Sequence, residues 1–201
     1  MTTFRPATGS DVPAAARLLA RAFHDYPWTR WSVPVEGYAE RLEHLQAAYL
    51  GHAVAHGVVL VDDDVRAVLA LLPPDTPPPA AEVQDRVAEL LGDRLPAVAG
   101  AALPSRPDGA WDLATLGVDP AHRGRGTATA LLAAGLAVVD ADPAGAVVAL
   151  ETSDERNVRL YERVGFAVTA RTVVPEGPLV VSMTRPAPAG TDAPAAGRHL
   201  G

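Results

Sequence analysis

The sequence predicts an α/β (α+β) protein built on one mixed sheet with helices on both faces. Three observations predict this class. Strand-like and helix-like segments alternate along the chain, its 201 residues suit one domain, and 48% of them are hydrophobic. The alternation is clearest where an apolar strand, predicted at 112–118, passes through a glycine-rich loop into a helix that reaches about residue 139.

The N-terminal half alternates short strands with amphipathic helices. A strand at 4–7 precedes a helix that the segment Gly9–Asp11 caps and that continues to about His24. The later segments are a loop with three large aromatic side chains at 25–31, a helix at 35–56, a hairpin of 58–61 and 65–72, a stiff proline-rich linker at 73–79, a helix at 81–91, and a helix followed by a loop up to Gly109.

The C-terminal half continues the alternation. Its predicted elements are a strand at 146–151, a helix at 154–163 and two strands at 165–174 and 179–184, joined by a proline- and glycine-containing turn. We expect residues 1–185 to form the domain. Residues 186–201 are rich in proline, alanine and glycine, a composition that predicts a disordered tail.

Composition and charge exclude several classes of function. The net charge of −7 disfavours non-specific binding to nucleic acid. The chain has no run of 18 apolar residues and no signal-peptide pattern, so we expect a cytoplasmic protein, monomeric or homodimeric, that does not act at a membrane. Without cysteine it can form no disulfide, thiolate metal site or cysteine nucleophile. All 17 basic residues are arginine, so no lysine Schiff base can form.

The glycine-rich loop is the strongest functional signal. Glycines beside the first turn of a helix let the backbone approach a ligand, and the free N–H groups there suit a phosphate or pyrophosphate. A Walker loop is excluded because the loop has no lysine, and a dinucleotide fingerprint is disfavoured because its third glycine position holds Thr129. What remains is either an ordinary strand–loop–helix or an Arg-x-x-Gly-x-Ala anion loop, filled by Arg123, Gly126 and Ala128.

This loop and a second motif resemble the GCN5-related N-acetyltransferases (GNAT). The second motif is Leu150–Ser153, followed by Asn157 and by Tyr161–Phe166. The resemblance implies the GNAT fold, a single mixed, mostly antiparallel sheet of about six or seven strands. It also implies acetyl-CoA as co-substrate, with direct transfer of the acetyl group to an amine and no metal.

A closer resemblance within the family is to members that acetylate an antibiotic. It extends over Asp25–Pro27, Trp111 and the stretch from Leu150 to Arg185. It implies a small primary amine as acceptor, possible partners being antibiotic-like aminoacyl compounds. Two alternatives stay open: acetylation of a protein N-terminus or lysine, and an acyl-CoA-binding sensor without turnover.

The resemblance also implies which residues bind the coenzyme. Backbone groups of Leu116, Gly117 and Val118 would hold the pantetheine arm. Asn157 would bond that arm, or would instead cap its own helix. The loop residues would hold the pyrophosphate, through backbone N–H groups and two guanidinium groups; they are Arg123, Gly124, Arg125, Gly126, Thr127, Ala128 and Thr129.

The catalytic groups follow from the same resemblance. Tyr161 is the expected general acid for the departing thiolate, and the alternative is a core tyrosine packed on Phe166. The general base is expected to be Glu151, with Asp112 second; His24, or no enzymic base, is the remaining alternative.

Aromatic residues of the first half are the candidate acceptor site. Tyr26, Trp28, Trp31 and Tyr38 would form either a pocket wall or a hydrophobic plug. His52 and His56 have the spacing of metal ligands on a helix, but a third ligand is not evident in the sequence, and we expect no metal site.

Overall fold

The structure is a computed structural model that describes residues 3–141 and 146–187. Within these ranges, one seven-stranded sheet carries α-helices on both faces, which confirms the predicted fold class. The strands are β1 Phe4–Pro6, β2 Val58–Asp62, β3 Ala67–Leu72, β4 Trp111–Val118, β5 Val148–Thr152, β6 Ala167–Val173 and β7 Leu179–Arg185. The helices are α1 Val12–Ala22, α2 Pro27–Ser32, α3 Tyr38–His56, α4 Ala81–Leu91, α5 Leu95–Ala99, α6 Thr127–Asp140 and α7 Glu155–Glu162.

The sheet separates in its middle. Its strand order is β1-β2-β3-β4-β5-β7-β6, and neighbouring strands are antiparallel except for the parallel pair β4 and β5. That parallel pair joins only Trp111 to Val148 and Asp112 to Ala149, whereas β4 stays paired with β3 as far as Val118. Beyond Asp112, therefore, one edge of β4 faces no strand of the described residues.

Two apolar clusters hold helices against the two faces of the sheet. On one face α6 buries Leu131, Leu132 and Leu136, and its Gly135 lies so close to β3 that an added Cβ would come within 2.7 Å of Leu69. On the other face α1 and α3 pack on β2 and β3. The sheet is thus packed between helices on both faces. These contacts fix the position of β4 in the sheet and of α6 on one of its faces.

The first aromatic segment differs from the prediction. Residues 25–31 were expected to form a loop, but Pro27 begins the helix α2, six residues long. Proline suits the first position of a helix because its fixed φ is already helical and its missing N–H would have no partner there. The next helix, expected from residue 35, begins at Tyr38, directly after Gly37 with its φ of +65°.

The remaining boundaries agree with the predicted elements to within a few residues. The helix predicted at 81–91 has those bounds, and the strand predicted at 146–151 spans Val148–Thr152. The predicted tail lies almost entirely outside the described residues. Among the residues that the structure does describe, no helix combines the length and apolar character needed to cross a membrane.

Candidate active site

A cavity of about 880 Å³ opens where β4 and β5 separate. Its walls come from α3, the proline-rich segment 73–79, the segment 103–110, the two separating strands and α7. The cavity collects residues that are far apart in the sequence. Those expected from the sequence to act on substrate or coenzyme are Tyr26, Trp28, Asp112, Leu116, Glu151, Asn157 and Tyr161.

The two candidate bases lie on neighbouring strands of this cavity. Asp112 pairs with Ala149, and Glu151 follows two residues later, so the two carboxylates share one face of the sheet. Burial raises the pKa of Asp112 to about 6, although the Arg106 guanidinium, 3.0 Å away, acts in the opposite direction. Burial likewise raises the pKa of Glu151, which the positive charge of Arg106 partly offsets.

Tyr161 lines the cavity from α7 and is also part of the core. Its ring packs on Phe166 with centroids 5.7 Å apart, and the residue is only 7% exposed. Burial, assisted by Tyr26, raises the pKa of its phenol above the ordinary value. The hydroxyl is therefore protonated at neutral pH, as a general acid must be before it donates. The two interpretations of Tyr161 are compatible with each other in this geometry.

A hydrogen-bond network ties α2 to the end of β5. The Tyr26 hydroxyl lies 2.9 Å from Thr152 Oγ1 and accepts a bond of 2.7 Å from the backbone N–H of Ser153. The backbone N–H of Trp28 donates to Ser153 Oγ at 3.1 Å. Asn157 Nδ2 donates to Thr152 Oγ1 at 3.3 Å, so this amide is linked to β5 and does not cap its own helix, whose N-cap is Asp154.

The other two aromatic candidates lie behind the cavity. Trp31 is 8% exposed and packs on Val180, and Tyr38 is buried and donates its hydroxyl to the backbone carbonyl of His24 at 2.8 Å. Neither lines the cavity. Of the four aromatic residues, Tyr26 and Trp28 therefore stay candidates for the pocket wall, whereas Trp31 and Tyr38 have packing contacts, as the alternative of a hydrophobic plug describes.

Several cavity residues were not predicted from the sequence. His24, the alternative base, is exposed beside Asp25 and does not line the cavity, whereas His52 does. His52 contacts His56 with ring centroids 4.7 Å apart, and within 3–141 and 146–187 no group of three metal-ligating side chains occurs.

The proline-rich segment, predicted as a linker, forms part of the wall. The other unpredicted residues include Gln46, Tyr49, Thr76 and Arg106.

The glycine-rich loop has the geometry that an anion site needs. Gly124 and Gly126 have φ angles of +77° and +78°, and an added Cβ on either would meet no atom within 4 Å. Gly126 caps α6, and its carbonyl accepts from Ala130 at 3.0 Å. The N–H groups of the first turn precede this bond and have no partner within the helix. The loop therefore presents backbone donors beside open space, which fits a pyrophosphate.

The free edge of β4 offers backbone hydrogen-bonding groups to an extended ligand such as a pantetheine arm. The N–H of Asp119 donates to the Arg66 carbonyl at 2.8 Å, on the β3 side. Because backbone groups alternate along a strand, those of Leu116 and Val118 face the gap and those of Gly117 face β3. The expectation that backbone groups of Gly117 hold the pantetheine arm therefore does not fit this geometry. A glycine is required there for another reason, because Leu19 of α1 occupies the space where a Cβ would lie.

Arg123 is anchored beside this edge. Its guanidinium donates to the Val118 carbonyl at 3.4 Å and to the Ala22 carbonyl at 2.8 Å. Arg125, two residues later, is exposed. The two guanidinium groups predicted to assist an anion therefore differ, one bonded to backbone carbonyls and the other exposed to solvent.

The fold and this site define a GNAT acetyltransferase. The chain belongs to that family, because the profile described as "Acetyltransferase (GNAT) family" matches residues 16–166, which include the loop and the motif around Tyr161. Membership makes the protein an N-acetyltransferase with acetyl-CoA as its co-substrate.

Solved structures show the same fold. A Corynebacterium glutamicum protein described as "histone acetyltransferase HPA2 and related acetyltransferase" superposes with a TM-score of 0.74 at 24% identity, over 95% of this chain and 99% of that one. The arylalkylamine N-acetyltransferase 2 of Aedes aegypti gives 0.62 at 14%, over 92% and 98%. The ribosomal-protein-S18-alanine N-acetyltransferase of Escherichia coli gives 0.59 at 16%, over 96% and 99%. At these identities the similarity is one of fold.

Proposed function

We propose that this protein acetylates the primary amine of a small molecule with an apolar or aromatic body. One observation carries the proposal: the cavity beside the free edge of β4 combines two carboxylates with aromatic and proline-lined walls. Its volume of about 880 Å³, which the thioester end of the pantetheine arm would share with the acceptor, lies in the range typical of small-molecule sites. Ammonium groups bind beside carboxylates, and apolar bodies bind against rings, so the lining suits such an amine.

The chain's residues then have distinct roles in the reaction. Acetyl-CoA, when bound, supplies the thioester carbonyl that the amine attacks. Glu151 removes a proton from the amine nitrogen as the N–C bond forms, and Tyr161 gives its phenolic proton to the sulfur as the C–S bond breaks. Backbone groups of Leu116 and Val118 would orient the arm that carries the thioester, and Asn157 would bond that arm.

We propose further that the acceptor amine resembles the amine of an antibiotic's aminoacyl group. The support is the sequence resemblance to puromycin N-acetyltransferase at Asp25–Pro27, at Trp111 and between Leu150 and Arg185. Tyr26 of the first of these segments lines the cavity. The second candidate acceptor is a protein amine. The aromatic and proline side chains that line the cavity favour a small molecule with an apolar body.

The test is release of free CoA thiol with a panel of amines. The panel contains puromycin, simple arylalkylamines and peptides with a free N-terminus. We expect turnover with one or more of the small amines. Thiol release from the peptides alone would overturn the small-molecule acceptor, and tight acetyl-CoA binding without release from any amine would indicate the sensor instead.

Replacing Glu151 by glutamine tests the base directly. We expect kcat to fall by about 100-fold or more, since a positioned general base contributes roughly that much. The matched control is Glu155→Gln, because Glu155 begins the adjoining helix α7 but pairs with Arg171 and does not line the cavity. An unchanged kcat in the Glu151 variant would transfer the role to Asp112 or to the solvent.

A further inference from the structure

Arg106 brings a positive charge to the acidic part of the cavity. It belongs to the irregular segment between α5 and β4, and its Nη1 lies 3.0 Å from Asp112 Oδ2. The Asp112 side chain is 13% exposed, whereas that of Arg106 is 48% exposed. A largely buried carboxylate is thus paired with a half-exposed arginine of the segment 103–110, which forms one wall of the cavity.

The surroundings of Asp112 make its ionisation depend on this arginine. Burial and the neighbouring Glu151 both favour the protonated carboxyl, and Arg106 is the group that opposes them. With Arg106 present the pKa of Asp112 is about 6, so the carboxyl is mostly ionised at pH 7. The other titratable side chains that line the cavity are Asp108, Tyr49, His52, Glu151, Tyr161 and Tyr26.

We infer that Arg106 is a positioning residue: it holds Asp112 as an ionised anchor for the substrate's ammonium group and leaves Glu151 to accept the proton. This inference rests on the proposed acetylation of a small amine and assigns separate roles to the two carboxylates. Without Arg106, burial and the neighbouring Glu151 would leave Asp112 partly protonated at neutral pH. A protonated Asp112 would weaken the attraction for the ammonium group and would leave the proton transfer to Glu151 unchanged.

The first experiment follows the Asp112 carboxyl by NMR in the protein without coenzyme or amine. In Arg106→Gln we expect the pKa of Asp112 to rise by about one unit or more, because an opposite charge at this distance lowers a carboxyl pKa by that amount. Arg106→Lys should restore most of the difference. An unchanged titration in Arg106→Gln would overturn the inference.

The second experiment measures acetylation of an amine from the panel as a function of pH. In Arg106→Gln we expect the KM for the amine at pH 7 to rise about twofold, because a pKa raised from about 6 to about 7 lowers the ionised fraction of Asp112 from about 0.9 to about 0.5. The increase should approach tenfold, the equivalent of one pKa unit, below about pH 5.5, and should vanish by about pH 8.5 as Asp112 ionises. The kcat should change little, in contrast to Glu151→Gln. In an Asp112→Asn background, Arg106→Gln should add no further effect.

A matched control separates this role from general loss of an ion pair. Arg86 pairs with Glu89 at 2.6 Å on α4, with a similarly exposed side chain, outside the cavity. Arg86→Gln should leave the Asp112 titration and the amine KM unchanged.

If Arg106→Gln lowers kcat at every pH and leaves KM constant, the anchor role is wrong. If the wild type acetylates no amine, the proposed function and the anchor role fall together, whereas the NMR titration still shows whether Arg106 sets the charge of Asp112.

Discussion

The proposed coenzyme side and the proposed acceptor side of this site are built in different ways. The coenzyme side, Leu116–Thr129, is one continuous stretch that offers backbone groups along β4 and at the start of α6. The acceptor side consists of side chains from α2, α3, the proline-rich segment 73–79 and the segment 103–110. A site made of backbone groups needs glycines at fixed spacing, whereas a site made of side chains needs only that distant residues meet in space. Five substitutions test this difference, ordered by the free energy expected to change.

The two tryptophans of α2 separate packing from substrate contact. Trp31 contacts Val174 and Val180 and would lie 2.9 Å from a Cβ on Gly177, so Trp31→Ala should lower the free energy of unfolding by about 3–5 kcal/mol. Trp28→Ala should cost less stability and raise the KM for the amine. Urea unfolding and steady-state kinetics measure both effects. Equal destabilisation with an unchanged KM would remove Trp28 from the acceptor wall.

Tyr161→Phe keeps the ring and removes only the phenolic hydroxyl. We expect kcat to fall by about 10- to 1000-fold with acetyl-CoA affinity nearly unchanged, because the lost proton donor acts in the transition state. Tyr38→Phe is the matched control: it loses a hydrogen bond to the His24 carbonyl and should reduce stability but not kcat. A near-normal rate for Tyr161→Phe would leave this residue only its packing on Phe166.

Gly126→Val tests the backbone character of the coenzyme side. The φ of +78° costs a valine about 1–2 kcal/mol, and its Cβ would enter the open space of the loop, so acetyl-CoA should bind about tenfold or more weakly by calorimetry. Gly37 is the matched control, because it caps α3 with a φ of +65° outside the loop. Gly37→Val should carry similar strain without changing acetyl-CoA affinity. Equal affinities in all three proteins would refute the loop assignment.

Gly51→Ala is the smallest expected change. Gly51 lies exposed within α3, and an added Cβ would meet no atom within 4 Å. Alanine should raise the free energy of unfolding by about 0.5–1 kcal/mol through its higher helix propensity, measured by urea unfolding. Both substrates should bind as before. An altered KM for the amine would mean that α3 positions the cavity wall through its outer face as well.

The fold was largely predictable because its elements are long enough to show periodicity. The hairpin of β2 and β3 and the helix α4 were found from alternation and spacing alone. The helix α2 was missed because six residues beginning at a proline give too short a pattern to distinguish from a loop. Short elements of this kind become visible only through their packing.

The site was predictable to the extent that glycine spacing and the motif around Tyr161 encode it. Arg106 could not be found, because an arginine in an irregular segment has no pattern and its importance comes from its distance to Asp112. Gly117 shows the opposite error. The same glycine that would suit a coenzyme contact is required by Leu19, and a sequence does not distinguish the two causes.

The short pairing of β4 with β5 has a mechanical consequence. Within the described residues, hydrogen-bonded register joins the block β1–β4 to the block β5–β7 through only two residue pairs. A pantetheine arm lying along Leu116 and Val118 would act as a substitute strand across the split. Occupancy would then give partners to the backbone groups of that edge, and the amide hydrogens of Leu116 and Val118 would exchange more slowly with acetyl-CoA bound than after CoA has left.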